Sequence, residues 1–169
     1  LLDRDAAIIN NASRDGDTAL YLAVTHGHTD LVMLLLNRDA DTDIRCCLGN
    51  TPLYTAAANN FLEAVALLLD RGADTGIFNR FSNTPLHIAS ARNHVGVVAL
   101  LLDRGAAVNA RTAYGSTPLY MAAVNNSPGA VALLLNKGAA VGILGEHNES
   151  ALSVAKRNDF KKIVDLLTH

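Results

Sequence analysis

Tryptophan is absent from this 169-residue chain, and aromatic residues make up only 5% of it, although 50% of its residues are hydrophobic. The apolar material is therefore mostly leucine, alanine and valine, which suit thin helices that pack closely. Long hydrophobic runs are also missing. The longest aliphatic stretches, such as residues 32–36, are far too short to span a bilayer. The sequence therefore predicts no membrane insertion.

An excess of either charge is missing as well, because the formal net charge is only −2. A nucleic-acid backbone or an anionic membrane surface would require a clustered basic face, so neither is expected as the main partner. The chain has two cysteines, Cys46 and Cys47, and they are adjacent. Neighbouring cysteines cannot staple a fold, which favours a reducing intracellular compartment and leaves the localisation otherwise unknown. A metal or redox role for this pair is the alternative to two ordinary loop cysteines.

Motifs that carry catalysis are missing too. The chain has no nucleophile elbow, no phosphate-binding loop and no paired-carboxylate motif, so we expect it not to be an enzyme. His26 and His28 flank Gly27 and could suggest a metal site, but no cysteine or carboxylate cluster supports them. We expect surface or capping histidines here, and neither a metal site nor a cofactor.

What the chain does have is a repeat. The motif Thr-Pro-Leu-Tyr/His occurs at residues 51–54, 84–87 and 117–120, at intervals of 33 residues. Weaker copies lie one interval before it, at residues 18–21, and one interval after it, at residues 150–153. A strict period of this length is typical of a stack of identical supersecondary units. Such a stack presents an extended face, and its usual role is to bind another macromolecule.

Each repeat begins with the chemistry of a helix start. Thr51 can cap a helix with its side-chain oxygen, and Pro52 suits the first helical position, where no N–H is needed. Leu53 and Ala56 then fall on one face of the helix. Asn60 stands where this helix must end and tolerates a left-handed backbone. Residues that tolerate the same conformation occupy the equivalent positions: Gly27, Asn93 and Asn126.

A second helix is predicted from about residue 61 to residue 71, with Val65, Leu68 and Leu69 on its inner face. Gly72 follows it, as expected for a left-handed helix end. Asp39 takes the same place in the first repeat, where a left-handed backbone costs an aspartate more than a glycine. The other two repeats have glycine there: Gly105 and Gly138.

Residues 84–89 have the sequence Thr-Pro-Leu-His-Ile-Ala, and residues 100–106 have the sequence Leu-Leu-Leu-Asp-Arg-Gly-Ala. Within a 33-residue period of helix, turn, helix and loop, these motifs resemble the ankyrin repeat family, and the resemblance covers essentially the whole chain. It implies an all-α solenoid of antiparallel helix pairs, L-shaped in cross-section, with hairpin-like loops that project at about right angles. It also implies non-enzymatic protein–protein recognition.

One residue departs from the family pattern. The resemblance implies that the signature histidine bridges the cap threonine and the neighbouring repeats, yet only His87 keeps it. We therefore expect an altered network, in which the replacing tyrosine rings need both space and a hydrogen-bond partner. The replacing residues are Tyr21, Tyr54, Tyr120 and Ser153.

The repeats predict one domain over residues 1–169. Polar residues in the last repeat suit a C-terminal cap, whereas residues 1–6 resemble the end of a second helix, so we expect a fragment of a longer array. An uncapped N-terminal end, where Leu1 and Leu2 continue an interface, favours fraying or weak self-association. The predicted units are a truncated repeat at 1–13, full repeats at 14–46, 47–79, 80–112 and 113–145, and a capping repeat at 146–169.

The predicted binding surface is the concave face formed by the loop tips and the exposed side of the first helices, as the resemblance implies. Leu48, Phe81 and Tyr114 share one loop position, and large apolar residues are unusual in a solvated loop but favoured in binding sites. The alternative is that these side chains fold back and pack the loops together. The candidate partner-binding residues are Arg14, Asp15, Asp17, His26, Leu48, Asn50, Asn59, Arg80, Phe81, Asn83, Arg92, Tyr114, Asn125 and His147.

The leading functional hypothesis is thus a module that binds a partner protein or peptide on this face. Two other roles stay open. The array could be a structural spacer, or an accessory domain that positions a catalytic or membrane domain outside these residues.

Overall fold

The computed structural model describes residues 8–168, and no β-strand occurs among them. Between residues 19 and 168 the chain forms five helix pairs, so the fold is all-α, as predicted. The first helix of every pair begins one residue after the predicted cap. These first helices are α1 (Ala19–Thr25), α3 (Pro52–Ala58), α5 (Pro85–Ala91), α7 (Pro118–Val124) and α9 (Ala151–Arg157).

The second helix of each pair follows after a short turn. In the type repeat it covers Leu62–Asp70, one residue shorter at each end than predicted, because residues 61 and 71 are its capping residues. The second helices are α2 (Thr29–Leu36), α4 (Leu62–Asp70), α6 (Val95–Asp103), α8 (Pro128–Asn136) and α10 (Lys161–Thr168).

The predicted caps are present. Thr51 Oγ1 accepts a hydrogen bond of 3.1 Å from the backbone N–H of Tyr54, and Thr117 Oγ1 accepts one of 3.2 Å from Tyr120. Each bond satisfies an N–H that has no partner inside the helix. The regular chemistry of the helix starts therefore explains the regular spacing of the helices.

The first helices pack on one another in one row, and the second helices pack in a parallel row. The leucine of the motif is almost fully buried in each central repeat, as at Leu53 and Leu86. Alanines such as Ala56 and Ala89 have no exposed surface and let the helices approach closely. Val65 and Leu68 are fully buried as predicted, whereas Leu69 is only half-buried.

The turns have the predicted left-handed backbone. Asn60, which ends α3, has φ of 59°, and Gly72, which ends α4, has φ of 85°. Asp39 has φ of 60° and therefore bears the expected cost. A 3₁₀ turn at Glu146–Asn148 was not predicted, and within it His147 has φ of 57°.

Two expectations reach beyond what the structure describes. The predicted fraying concerns residues that include Leu1 and Leu2, which lie outside the described residues. Among residues 8–168, no helix is both long enough and apolar enough to cross a membrane.

A candidate protein-binding surface

The loops between the repeats are tight hairpins. In the second of them, Cys46 N–H donates to Asn50 O at 3.0 Å, and Gly49 N–H donates to Cys46 O at 2.8 Å. Gly49 has φ of 78°, which closes the turn without the penalty that a side chain would bring. Equivalent pairs of backbone bonds close the hairpins at 13–17, 79–83, 112–116 and 145–149.

Side chains fix the backbone of the third hairpin further. Asn79 Oδ1 accepts hydrogen bonds from Phe81 N–H at 3.0 Å and from Asn83 N–H at 3.1 Å. Its Nδ2 donates to Asn50 Oδ1 at 2.9 Å and so ties the third hairpin to the second. Asn79 therefore fixes the backbone around Phe81 within the third hairpin and also links it to the second hairpin.

Neighbouring hairpins also pair through their backbones. Cys47 N–H donates to Asp15 O at 2.6 Å, and Arg80 N–H donates to Leu48 O at 3.1 Å. These bonds set the first three hairpin tips side by side. Within the described part of the chain, no such backbone bond joins the third hairpin to the fourth.

The predicted apolar residues occupy the hairpin tips and face solvent. The exposed fraction is 49% for Leu48, 62% for Phe81 and 69% for Tyr114. We call these three side chains the tip row. Side chains that packed the loops together would be covered, so this exposure favours the contact role over the packing alternative, and both stay predictions.

The other candidate residues fall into two groups. Arg14, Asp15, Arg80 and His147 are exposed on the hairpins, whereas three others on the hairpins are only half-buried. A second group is exposed at the ends of the first helices. The half-buried residues are Asp17, Asn50 and Asn83, and the helix-end residues are His26, Asn59, Arg92 and Asn125.

Some of the helix-end residues already have partners. An Nη atom of Arg92 donates to Ala58 O at 2.6 Å and so links two neighbouring repeats. Nδ1 of His26 lies 2.9 Å from Leu22 O, so this histidine caps its own helix as expected. Among the described residues, no group of three or more histidine, cysteine or carboxylate side chains is arranged to hold a metal ion.

His87 forms a buried hydrogen-bond network between two repeats. Its Nε2 lies 3.1 Å from both Ala110 O and Ser116 O, and its Nδ1 lies 3.2 Å from the N–H of Thr84. Since carbonyl oxygens only accept, Nε2 carries the proton and Nδ1 accepts from Thr84. Burial lowers the pKa of this imidazole, because desolvation disfavours the charged form, and the two carbonyls oppose that effect.

The tyrosines that replace this histidine use a hydroxyl group in place of a ring nitrogen for hydrogen bonding. The hydroxyl of Tyr120 donates to Glu146 O at 3.2 Å, in the next hairpin. Burial raises the pKa of Tyr120 and of Tyr54, so both phenols stay neutral. In Tyr120 the nearby carboxylates of Glu149 and Glu146 raise the pKa further. The expected partner for a tyrosine hydroxyl is thus present at Tyr120.

Two exposed residues that the sequence analysis did not select lie beside the tip row. Arg45 is exposed, and Phe78 is 55% exposed. Together with Arg80 and Cys47 they line a shallow pocket of about 340 Å³ between the second and third hairpins. The sequence could have identified them, because residues 45 and 78 share one position of the repeat, three residues before Leu48 and Phe81.

The family profile for ankyrin repeats in three copies matches residues 1–79, 67–145 and 86–169. The serine/threonine-protein kinase TNNI3K of Mus musculus is 47% identical over 47 residues, which are 28% of this chain and 6% of the kinase. Cortactin-binding protein 2 of Ornithorhynchus anatinus is 51% identical over 43 residues, which are 25% of this chain and 3% of that protein. The matched stretch is thus a small part of each relative. Because the family profile covers the whole chain, which also folds as stacked helix pairs with projecting hairpins, the chain belongs to the ankyrin repeat family.

Proposed function

We propose that this chain is a non-enzymatic module that binds a partner protein or peptide along the tip row and the adjoining side of the first helices. Ankyrin repeats are in general protein-interaction modules and are in general not catalytic. The observation that carries the proposal is the exposure of Leu48, Phe81 and Tyr114 at one position of three consecutive hairpins. Large exposed apolar side chains in a row are costly in water unless another molecule covers them.

The composition of the face supports the same role. Aromatic residues often supply most of the binding energy at an interface, and a polar rim excludes water around them. Here Phe81 and Tyr114 are the aromatic candidates, and Arg14, Asp15 and His147 are exposed on the flanking hairpins. The helix ends at Asn59 and Asn125 extend the polar surface from the tips towards the first helices, as do His26 and Arg92.

Affinity capture with two matched variants tests this proposal. The chain would be compared with a Phe81→Ala/Tyr114→Ala variant in pull-downs from lysate, with captured proteins quantified by mass spectrometry. The control is Leu62→Ala/Val95→Ala, because Leu62 and Val95 are 47% and 39% exposed but lie on second helices, away from the tip row. We expect the tip-row variant to lose its partners and the control to keep them. Equal loss in both variants, or in neither, contradicts the proposed face.

A spacer or accessory role is the second candidate. One relative is named a protein kinase, and the matched stretch is 6% of its length. In such a setting an array positions another domain and needs no apolar tip row. The same pull-down separates the two roles, because a spacer retains its captured proteins when Phe81 and Tyr114 are truncated.

Weak self-association is a further proposal, and the first helix pair supports it. Leu31 and Leu34 are 41% and 47% exposed, whereas at the same positions of a central repeat Val97 is buried and Leu100 is half-buried. Sedimentation velocity over a range of concentrations, with a Leu31→Glu/Leu34→Glu variant as comparison, would test this. A single monomeric species at every concentration would exclude it.

A further inference from the structure

Charge is unevenly distributed between the two sides of the stack. In the three central repeats, each hairpin region and the first helix that follows it contain arginine and no acidic residue, at residues 45–59, 78–92 and 111–125. The acidic residues of these repeats lie on the second helices and the turns after them. The arginines of the central binding side are Arg45, Arg80, Arg92 and Arg111, and the acidic residues on the second helices opposite are Glu63, Asp70 and Asp103. Asp74, in the turn after the second helix, lies beside Arg45.

The charge also changes along the row of hairpins. The first hairpin contains Asp15 and Asp17, and the last contains Glu146 and Glu149. The middle of the row is therefore basic and both of its ends are net acidic, although the whole chain has a formal charge of −2. Such a pattern attracts a negatively charged segment to the centre and disfavours its extension past either end.

The pocket between the second and third hairpins concentrates this charge. Its lining contains Arg45 and Arg80 together with the ring of Phe78, and it contains no carboxylate. Within residues 8–168, neither of these arginines forms an ion pair. Asp43 and Asp74 border Arg45 only in a separate pocket on its other side. A guanidinium fork matches a carboxylate in shape and charge, so the two free arginines suit an acidic side chain.

The distance between neighbouring hairpin tips also constrains the conformation of a bound segment. Packed helices lie about 8–10 Å apart, so neighbouring tips of a regular stack are separated by a similar distance. A chain in the polyproline II conformation has three residues per turn and rises about 3.1 Å per residue, which places every third side chain on one side about 9 Å apart. An extended partner with an apolar residue at every third position therefore matches Leu48, Phe81 and Tyr114.

From the proposed function and these observations, we infer that the surface binds an extended acidic segment of another protein. Apolar side chains spaced three residues apart contact the tip row, and a carboxylate between two of them enters the pocket of Arg45 and Arg80. The acidic ends of the hairpin row limit the bound segment to the central repeats. The inference rests on the proposed binding face and adds the chemistry of the partner.

Selection from a random peptide library tests this inference without a known partner. Peptides of about twelve residues would be displayed on phage, since about six extended residues already span the two intervals between three tips. We expect selected peptides to be rich in aspartate and glutamate, with apolar residues three positions apart. Binding of a selected peptide, measured by fluorescence anisotropy, is expected to weaken roughly three- to tenfold in Arg45→Gln/Arg80→Gln and to weaken with added salt.

The controls separate this inference from the proposed function. Selected peptides that depend on Phe81 and Tyr114 but are neutral or basic would overturn the inference and leave the binding face intact. Peptides that bind the Phe81→Ala/Tyr114→Ala variant without loss would overturn the face itself. Failure to enrich any peptide, or tighter binding of a poly(U) strand than of the best peptide, would also reject an acidic protein segment. Arg71→Gln, on the opposite side of the stack, is the matched control and should leave peptide binding unchanged.

Discussion

The ring of Tyr120 occupies the space in which a side chain at position 145 would lie. A Cβ atom added to Gly145 would come within 2.6 Å of Tyr120 Cγ, closer than real Cβ contacts allow. At the equivalent position one repeat earlier, Thr112 follows the smaller and more polar His87. In this repeat the tyrosine ring and the next hairpin therefore share one volume, and Gly145 leaves it to the ring. The fit is particular to this pair, because Asn79 and Cys46 stand at the equivalent position after Tyr54 and Tyr21.

Gly145→Ala should therefore destabilise the chain by about 1–3 kcal/mol, the usual cost of overfilling a packed site. Gly145 has φ of −97°, so an alanine there meets no left-handed backbone strain. Urea unfolding would measure the change. The matched control is Gly142→Ala, because a Cβ at Gly142 meets no atom within 4 Å. The same alanine at 145 should cost much less in a Tyr120→Ala background, and equal costs in both backgrounds would refute the contact.

Stability should fall on acidification because of His87. Its folded-state pKa is lowered from the ordinary value of 6.5, so the unfolded chain binds the proton more readily. The contribution of neutral His87 is complete above pH 6.5 and is lost as the pH falls towards the folded-state pKa. Urea unfolding at pH 7.5 and pH 5.5 would measure this loss, and His87→Gln should reduce it. A folded-state pKa above 6.5 in an NMR titration would contradict the sign.

Asp39 offers a stabilising substitution. Its φ of 60° is left-handed, and the equivalent Gly72 and Gly105 have φ of 85° and 86°. We expect Asp39→Gly to stabilise the chain by about 0.5–1 kcal/mol, because glycine removes most of the strain at some cost in unfolded-state entropy. Gly105→Ala should destabilise it by about 1 kcal/mol, since a Cβ there meets no neighbour and only the backbone is strained. Asp39→Ala is the control for charge, because alanine removes the carboxylate without easing a left-handed backbone, and a gain as large as that of glycine would rule out the conformational explanation.

The tip row should contribute little to stability. Phe81→Ala and Tyr114→Ala are expected to change the free energy of unfolding by less than about 0.5 kcal/mol, as is usual for exposed residues. Leu86→Ala, which removes a side chain that is 1% exposed, should cost about 2–5 kcal/mol. Thermal and urea unfolding of the three variants would make this comparison. A loss above 1 kcal/mol at Phe81 would restore the idea that its ring packs the hairpins together.

The helix starts could be predicted from the sequence because the information is local. Thr51 followed by Pro52 satisfies a helix terminus without help from the rest of the chain, and Asn60 meets the backbone demand of a single turn. Because the period is regular, the helix start and the turn predicted for one repeat apply to the other repeats as well. For the same reason, the position of Leu48, Phe81 and Tyr114 at successive hairpin tips followed from their shared register.

The features that the sequence did not predict depend on contacts between repeats. Nothing near Tyr120 in the sequence shows that Gly145 makes room for its ring, since the two residues meet only when neighbouring repeats pack. The pocket of Arg45 and Arg80 is likewise formed by two hairpins. The half-burial of Asn83, whose Oδ1 is buried, also depends on residues packed around it, which a linear pattern does not display.

The backbone bond from Arg80 N–H to Leu48 O has a mechanical consequence. It fixes the separation of Leu48 and Phe81, whereas among the described residues no equivalent bond fixes that of Phe81 and Tyr114. Within residues 8–168, the fourth hairpin is tied by hydrogen bonds to the preceding repeat only at its base, where His87 Nε2 donates to Ser116 O. The Leu48–Phe81 separation should therefore vary less than the Phe81–Tyr114 separation. A ligand with one residue inserted opposite the second interval should lose little affinity, and one with the insertion opposite the first should lose much more.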